Sequence, residues 1–325
     1  MKIYRSLDQA PADFGPSALT IGNFDGVHFG HRRILRRLAA LARERGWKPS
    51  ALTFDPHPTR VVAPERTPRL MTSPDRRAEL MREEGIRQVL ILPFTGALAA
   101  LSPEEFARLL VERLGARAVV VGDNFRFGHR HAGNTRVLAE LGRRLGFATE
   151  VVPAVACRGR IVSSSGIREL ILAGRISLAA RFLERPYALE GEVVSGRGVG
   201  SKQTVPTLNL STTAELIPAP GVYVTRTRDR DCAREWTSIT NVGYRPTFGS
   251  SGELSIESFL LDPAPPDPPR RIRVEFLRRL RDERKFETPQ ALKAQILNDV
   301  GTAQRYFRRL HAWIGRPRCP VGPPA

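Results

Sequence analysis

The sequence changes texture once, at Pro186-Tyr187, and that change divides the chain into two kinds of domain. From residue 17 to about 155, apolar or β-branched runs alternate with helical patterns. The strand candidates are "ALTIGNF" (18–24), "SALTF" (50–54), "QVLILPF" (88–94), "RAVVVGDNF" (117–125) and "ATEVVP" (148–153). Helical patterns occupy 30–45, 74–85, 103–114 and 134–145. Ser73-Pro74 opens one helix, and Ser102-Pro103-Glu104-Glu105 opens another as a capping box with proline at the first helical position. Such alternation predicts parallel strands joined by right-handed crossovers, with ligands bound beyond the carboxyl ends of the strands. The expected fold of this half is an α/β doubly wound parallel sheet.

Two short helices, about 164–173 and 176–183, precede the change. After it come strand-like runs with glycine turns: "YALEGEVVSG", "GVYVTRTR", "WTSITNVGY", "ELSIESFLL" and "RIRVEFLRRL". One helix follows, opened by Thr288-Pro289 and running to about 314. Many short strands with one late helix predict a small closed antiparallel β-barrel with a C-terminal helix. The expected domains are 1–184 and 185–314, with 315–325 a disordered tail and the proline-rich 262–269 a loop. A chain of 325 residues has the length for two such cores.

Charge and cysteine content narrow the function classes. The balance of 51 Lys+Arg against 33 Asp+Glu gives +18, a surface that attracts nucleic acid, acidic lipid or nucleotide phosphates. The arginines are scattered over helices such as 32–45, with no ordered basic face interleaved with aromatics, so small-molecule partners are expected and nucleic acid is not. Cys157, Cys232 and Cys319 are an odd count at wide spacing, which fits a reducing compartment better than a disulfide framework or a zinc knuckle. The opening residues lack the apolar run of a signal peptide and no stretch is long enough to span a bilayer, so a cytoplasmic protein without a membrane partner is expected. Oligomeric state has no signature in the sequence.

The chemistry concentrates in "GNFDGVHFGHRRIL" (22–35). His28 and His31 follow the first strand candidate and open a helix whose unpaired N–H groups favour a phosphate. Gly22 and Gly26 let the backbone of the turn Gly22-Asn23-Phe24-Asp25-Gly26 pass close to a nucleotide. Two imidazoles there can stabilise oxygens that become more negative as an α-phosphorus goes five-coordinate. Taken singly, one histidine would be read as a helix cap and the other as solvated.

"TIGNFDGVHFGHRRIL" resembles the nucleotidyltransferase signature of the prokaryotic bifunctional riboflavin kinase/FMN adenylyltransferase (FAD synthetase) family, and further blocks follow in order. "LTFDPHP" (52–58), "VGDNFRFGHRHAGN" (121–134) and "SSSGIRELILAG" (163–174) resemble its adenylyltransferase half. "VPTLNL" (205–210), "NVGYRPTF" (241–248), "IESFLLD" (256–262) and "RDERKFETPQALKAQILND" (281–299) resemble its kinase half. The resemblance implies two reactions, riboflavin to FMN and FMN to FAD, each with ATP as co-substrate and with Mg²⁺. It implies a nucleotidyltransferase domain followed by a riboflavin kinase barrel. An FAD synthetase with a weak kinase is the nearest alternative, and a basic nucleic-acid-binding protein a more distant one.

Residue by residue, the resemblance implies that His28 and His31 bind ATP phosphates and stabilise the transition state. It makes Ser164, Ser165 and Arg168 a second clamp for the departing pyrophosphate, with serine at 165 where the family usually has threonine. Phe54, Pro56, Pro58, Phe125 and Phe127 could form an apolar wall for the isoalloxazine ring, with Asn124 at its edge. His57, between two prolines, is read as loop packing because no neighbouring spacing supports a metal.

In the second half, Thr207 and Asn209 of Pro206-Thr207-x-Asn209 are hard oxygen ligands suited to Mg²⁺. Glu257 falls where the family has its catalytic base, pointing away from Ile256 and Ser258 along a strand. The loop "GRGVGSKQTVPTLNL" departs from the family's glycine-aromatic spacing; Gly196, Gly198 and Gly200 still supply a loop able to approach phosphates, and Lys202 a cation.

Overall fold

A computed structural model describes residues 1–157, 159–194, 207–232, 234–247, 250–263, 267–284 and 286–314. They form two compact units, Met1–Glu169 with Phe182–Glu184, and Leu170–Arg181 with Arg185 onward.

In the first unit, strands β1 (Lys2–Tyr4), β2 (Ser17–Ile21), β3 (Lys48–Asp55), β4 (Gln88–Pro93), β5 (Ala116–Gly122) and β6 (Ala148–Val152) make one sheet in the order β1-β4-β3-β2-β5-β6, every pair parallel. Alternation along the strands feeds two cores. Leu19, Ile21, Leu52, Leu90, Leu92, Val119 and Val121 face one side, where they pack on Phe106 and Leu110 of the helix Pro103–Glu112 and on Leu138 and Leu141 of the helix Thr135–Leu145. Ala18, Ala51, Val89, Ile91 and Val120 face the other, against Leu35 and Leu38 of the helix Phe29–Arg45 and Ala78 and Met81 of the helix Pro74–Glu83. Helices on both faces make the sheet doubly wound.

The helices here are α1 (Phe29–Arg45), α2 (Pro58–Val62), α3 (Pro74–Glu83), α4 (Gly96–Ala100), α5 (Pro103–Glu112), α6 (Thr135–Leu145) and the start of α7 (Ser164–Leu172); the end of α7 and most of α8 (Ile176–Leu183) belong to the second unit. The Ser102 capping box is formed in full: its Oγ accepts from the Glu105 N–H at 3.2 Å and the Glu105 carboxylate accepts from the Ser102 N–H at 2.7 Å. Sequence reading missed β1, α2 and α4, all of five residues or fewer and too short to show a period.

Because the chain adds β3 and β4 on one side of β2 and then β5 on the other, the strand order reverses at β2 and β5. In sheets of this type the crevice beyond the carboxyl ends of the strands at that reversal binds ligands.

In the second unit, β7 (Tyr187–Val194), β8 (Thr207–Ser211), β9 (Gly221–Asp229), β10 (Glu235–Thr247), β11 (Ser250–Leu260) and β12 (Arg271–Arg281) close an antiparallel barrel in the order β7-β8-β11-β10-β9-β12. Leu208, Ile256, Leu260, Val274 and Phe276 fill its buried positions. Polar groups there satisfy one another: Thr225 Oγ1 lies 2.8 Å from Ser238 Oγ and 2.7 Å from Thr240 Oγ1, which lies 2.8 Å from Ser258 Oγ. Helix α9 (Pro289–Ile314) lays Ala303 and Phe307 over Val222, Val224 and Ile239 on the outer face. Among the described residues no helix is long and apolar enough to cross a membrane.

Candidate functional sites

The turn after β2 is held in a backbone form that few residues adopt. Phe24, Gly26 and Val27 have φ of 50°, 78° and 37°. A Cβ on Gly26 would stand 2.7 Å from Met71 Cε. Buried Asp25 holds the turn in place: its carboxylate accepts from the N–H of Met71 at 3.0 Å, the N–H of Thr72 at 3.1 Å and the Thr72 hydroxyl at 3.1 Å.

Past the turn, His28 caps α1, its Nδ1 accepting from the His31 N–H at 3.4 Å. A neutral imidazole accepting at Nδ1 carries its proton on Nε2, so the cap leaves the ring with one N–H donor. The His31 ring stacks on His28 with centroids 3.7 Å apart and meets the edge of Phe24 at 5.1 Å. The cap reading and the phosphate reading of the pair are therefore compatible, since each uses a different nitrogen of His28.

Gly30 keeps His28 in this pose. A Cβ on Gly30 would lie 3.2 Å from His28 Cε1 and 3.3 Å from Nδ1, so any side chain pushes the ring aside. Gly30→Ala is expected to shift the His28 ring, yet to keep or raise the unfolding midpoint, because alanine favours a helix by about 0.5–1 kcal/mol over glycine. The imidazole signals of His28 by NMR and urea denaturation measured on one preparation check the two effects.

Asp25 also reaches across the sequence to Arg168 on α7, with Nη2 to Oδ2 at 2.7 Å. The Arg168 side chain is only 12% exposed, and its buried Nε has no hydrogen-bond partner among the described residues. Ser164 Oγ donates to the Asp25 carbonyl at 3.0 Å, and Ser163 Oγ accepts from the Gly166 N–H at 3.2 Å as the cap of α7. The start of α7 with Ser164, Ser165 and Arg168 is thus brought beside the turn Gly22–Gly26.

Two contributors were not read from sequence. Arg77 of α3 is buried and donates to the Asn23 carbonyl at 2.7 Å, Thr53 Oγ1 at 3.1 Å and the Phe54 carbonyl at 3.4 Å, tying the turn to the end of β3. Burial pushes its guanidinium below the ordinary arginine range, opposed by Asp25 and Asp55. Nothing local distinguishes it from its neighbour Arg76.

His57 packs in its loop as expected, and it also touches the site. Its Nδ1 accepts from the Thr59 N–H at 3.3 Å, and its Nε2 lies 3.0 Å from the Asn23 amide. Burial, then the nearby Arg168, lowers the His57 pKa below 6.5. The unfolded chain takes up this proton near 6.5 and the folded chain only at lower pH, so the His57 contribution to stability is complete above 6.5 and is lost as pH falls through the folded value. Between pH 7.5 and 5.5 the urea midpoint is expected to fall less in His57→Asn than in the parent.

The expected apolar wall divides into two layers. Phe54 and Phe127 lie in the core, Phe54 edge-on to Phe94 at 5.4 Å. Pro56, Pro58 and Phe125 are half-buried, Phe125 stacking on Phe127 at 5.4 Å, and Asn124 is exposed just past β5.

In the barrel, Gly196, Gly198 and Lys202 lie outside the described residues. Thr207 and Asn209 fall on β8, Glu257 on β11. Register sets Asn209 opposite Glu257 and Glu257 opposite Asn241 of β10, three polar residues side by side across neighbouring strands. All three are half-buried, while Leu208, Ile256, Ser258 and Val242, one position along, are buried. Thr207 shares their face one pair further on, opposite Phe259. Ser255 Oγ donates to Glu257 Oε1 at 2.9 Å. Sequence reading did not single out Asn241 or Ser255, because only strand register brings them to Glu257.

Among the described residues no group of three or more His, Cys, Asp or Glu could hold a metal. A neutral oxygen pair such as Thr207 and Asn209 suits a hard cation that keeps waters and takes its remaining ligands from substrate phosphates, as Mg²⁺ does.

Comparison with known proteins follows the same division. The FAD synthetase family model matches residues 10–166 and the riboflavin kinase model residues 183–307. A bifunctional riboflavin kinase/FMN adenylyltransferase from Pseudomonas fluorescens is 36% identical over 305 residues, covering 94% of this chain and 97% of the relative. The enzyme of the same name from Escherichia coli (strain K12) is 32% identical over 311 residues, covering 94% and 98%. Among solved structures, a macrolide-efflux protein from Streptococcus pneumoniae aligns with a TM-score of 0.83 at 25% identity, covering 93% of this chain and 98% of that one.

Proposed function

Because the chain belongs to the bifunctional riboflavin kinase/FMN adenylyltransferase family, we propose that its two units divide a two-step synthesis, adenylyl transfer in the unit that holds β1–β6 and phosphoryl transfer in the barrel. The chain converts riboflavin and ATP to FMN and ADP, then FMN and a second ATP to FAD and pyrophosphate. The observation that carries the reading is the stacked His28–His31 pair at the start of α1, beside the point where the strand order reverses.

In the adenylyl step an FMN phosphate oxygen attacks the α-phosphorus of ATP and the bond to the bridging oxygen breaks, releasing pyrophosphate. We assign His28 to the oxygens on which charge grows, with its Nε2–H as donor, and His31 to the phosphates beside it. Arg168, anchored by Asp25, receives the β- and γ-phosphates together with Ser164 and Ser165. Asp25 is committed to Met71, Thr72 and Arg168, so its part is to shape the turn. Pro56, Pro58, Phe125 and Asn124 face the flavin, with Phe54 and Phe127 backing them.

In the phosphoryl step Glu257 accepts the proton of the ribityl 5′-hydroxyl as that oxygen attacks the γ-phosphorus. Thr207 and Asn209 would hold Mg²⁺, which when bound neutralises charge on the ATP phosphates. We place the enzyme in the cytoplasm, with small molecules as its only substrates.

Incubation with riboflavin, ATP and Mg²⁺, followed by chromatography of the flavins, tests the whole reading. FMN should rise first and FAD at its expense. Accumulation of neither overturns the proposal, and FAD formed only from supplied FMN removes the kinase half.

A further inference from the structure

We infer that Arg77 is a positioning residue for FMN adenylylation, setting the Asn23–Phe24 peptide so that the Phe24 ring steadies the stacked His28 and His31. The inference rests on that histidine pair serving the adenylyl step.

A peptide unit is planar, so whatever fixes a carbonyl also fixes the direction in which the next residue departs. The Asn23 carbonyl accepts from two donors, Arg77 Nη1 at 2.7 Å and Thr53 Oγ1 at 3.2 Å. The same Nη1 donates to Thr53 Oγ1 at 3.1 Å, and Nη2 to the Phe54 carbonyl at 3.4 Å. One planar guanidinium therefore grips the turn and the end of β3 together. Arg77 is 1% exposed, so it acts only through the groups it holds.

Those groups lead to the histidines. Phe24, directly after the gripped peptide, has a φ of 50°, which a bulky residue keeps only where its surroundings impose it. Its buried ring meets His31 edge-on with centroids 5.1 Å apart, and His31 stacks on His28 at 3.7 Å. The ring is confined on another side by Gly22, where a Cβ would stand 3.3 Å from Phe24 Cε2. A tilt of the Asn23–Phe24 peptide is thus passed to the imidazole stack. An apolar side chain of similar size would fill the Arg77 position without the cost of burying a charge, so packing does not account for an arginine there.

The test uses the full-length enzyme, read as kcat and KM for FAD formation from FMN. Arg77→Lys keeps the charge but replaces the fork with one nitrogen, and is expected to lower kcat about tenfold, within the span that a misplacement of about an ångström costs. The KM for FMN should stay within about twofold because no substrate contact is removed. The imidazole NMR signals of His28 and His31 should move in the ligand-free enzyme, and riboflavin phosphorylation should keep its rate. Thr53→Val, which removes the shared hydroxyl and keeps the branched shape, should act in the same direction with a smaller loss. In the His31→Ala background, Arg77→Lys should cost less than about twofold more, since the ring it steadies is gone. Leu110→Ala, buried in α5 on the opposite face of the sheet, is the stability control: it should lower the urea midpoint and leave kcat unchanged.

If His28→Ala and His31→Ala abolish FAD formation but Arg77→Lys keeps full kcat, the positioning role fails and the histidine assignment stands. If Leu110→Ala costs as much kcat as Arg77→Lys, or if Arg77→Lys costs the same with and without His31, the arginine acts on the fold instead and the inference is overturned. Full FAD formation in both histidine variants removes the histidine assignment and the Arg77 role with it.

Discussion

His28→Ala is expected to lower the rate of FAD formation from FMN about 10²- to 10³-fold, the loss seen when one donor to a developing oxyanion is removed, while riboflavin phosphorylation keeps its rate. Two effects are superimposed in that variant, because His28 is both the proposed phosphate donor and the cap of α1. Losing the cap costs about 1 kcal/mol of stability and should not by itself alter chemistry. His28→Asn separates them: asparagine is among the best N-cap residues, so the unfolding midpoint should return, but it lacks the imidazole N–H and the rate should not. Recovery of FAD synthesis in His28→Asn would reduce the histidine to a helix cap and leave the phosphate role without support.

Glu257→Gln is expected to produce the complementary enzyme, with riboflavin phosphorylation reduced about 10²- to 10⁴-fold, the usual span for a general base, and FMN adenylylation intact. Glutamine keeps the shape and can still accept from Ser255, so the loss should fall on kcat with little change in the KM for riboflavin. Chromatography of flavins separates the outcomes cleanly: this variant should make FAD from supplied FMN but not from riboflavin. A variant that makes FMN at the parental rate would exclude Glu257 as the base and direct attention to another group near Asn209 and Asn241.

The legible part of the molecule was the part encoded locally. The Ser102 cap, the run of helix α1 and the alternation in "QVLILP" could be read because capping and periodicity span only a few residues. The histidine pair was legible for the same reason: one turn of helix separates its members. Arg77 was illegible, because a buried arginine that binds the turn through Asn23 looks in sequence like the exposed arginines around it. The serine turn at 163–165 could be read as a helix start, but its place beside the Asp25 carbonyl could not. Phe54 and Phe127, read as part of a flavin wall, lie in the core behind Pro56 and Phe125, a depth that alternation along a strand does not supply.

The sequence by itself determined that a doubly wound sheet would be followed by a closed barrel, and that a glycine turn and a histidine pair would follow the first long strand. Those properties follow from periodicity, from glycine and proline placement, and from residues close enough in the chain to share one turn. Tertiary structure alone decided that Arg168 would meet Asp25 across 143 positions, that His57 would lean on Asn23, and that Glu257 would stand between Asn209 and Asn241. Such meetings depend on strand order and register, which are set by how whole faces pack, and no short stretch of the chain carries that information.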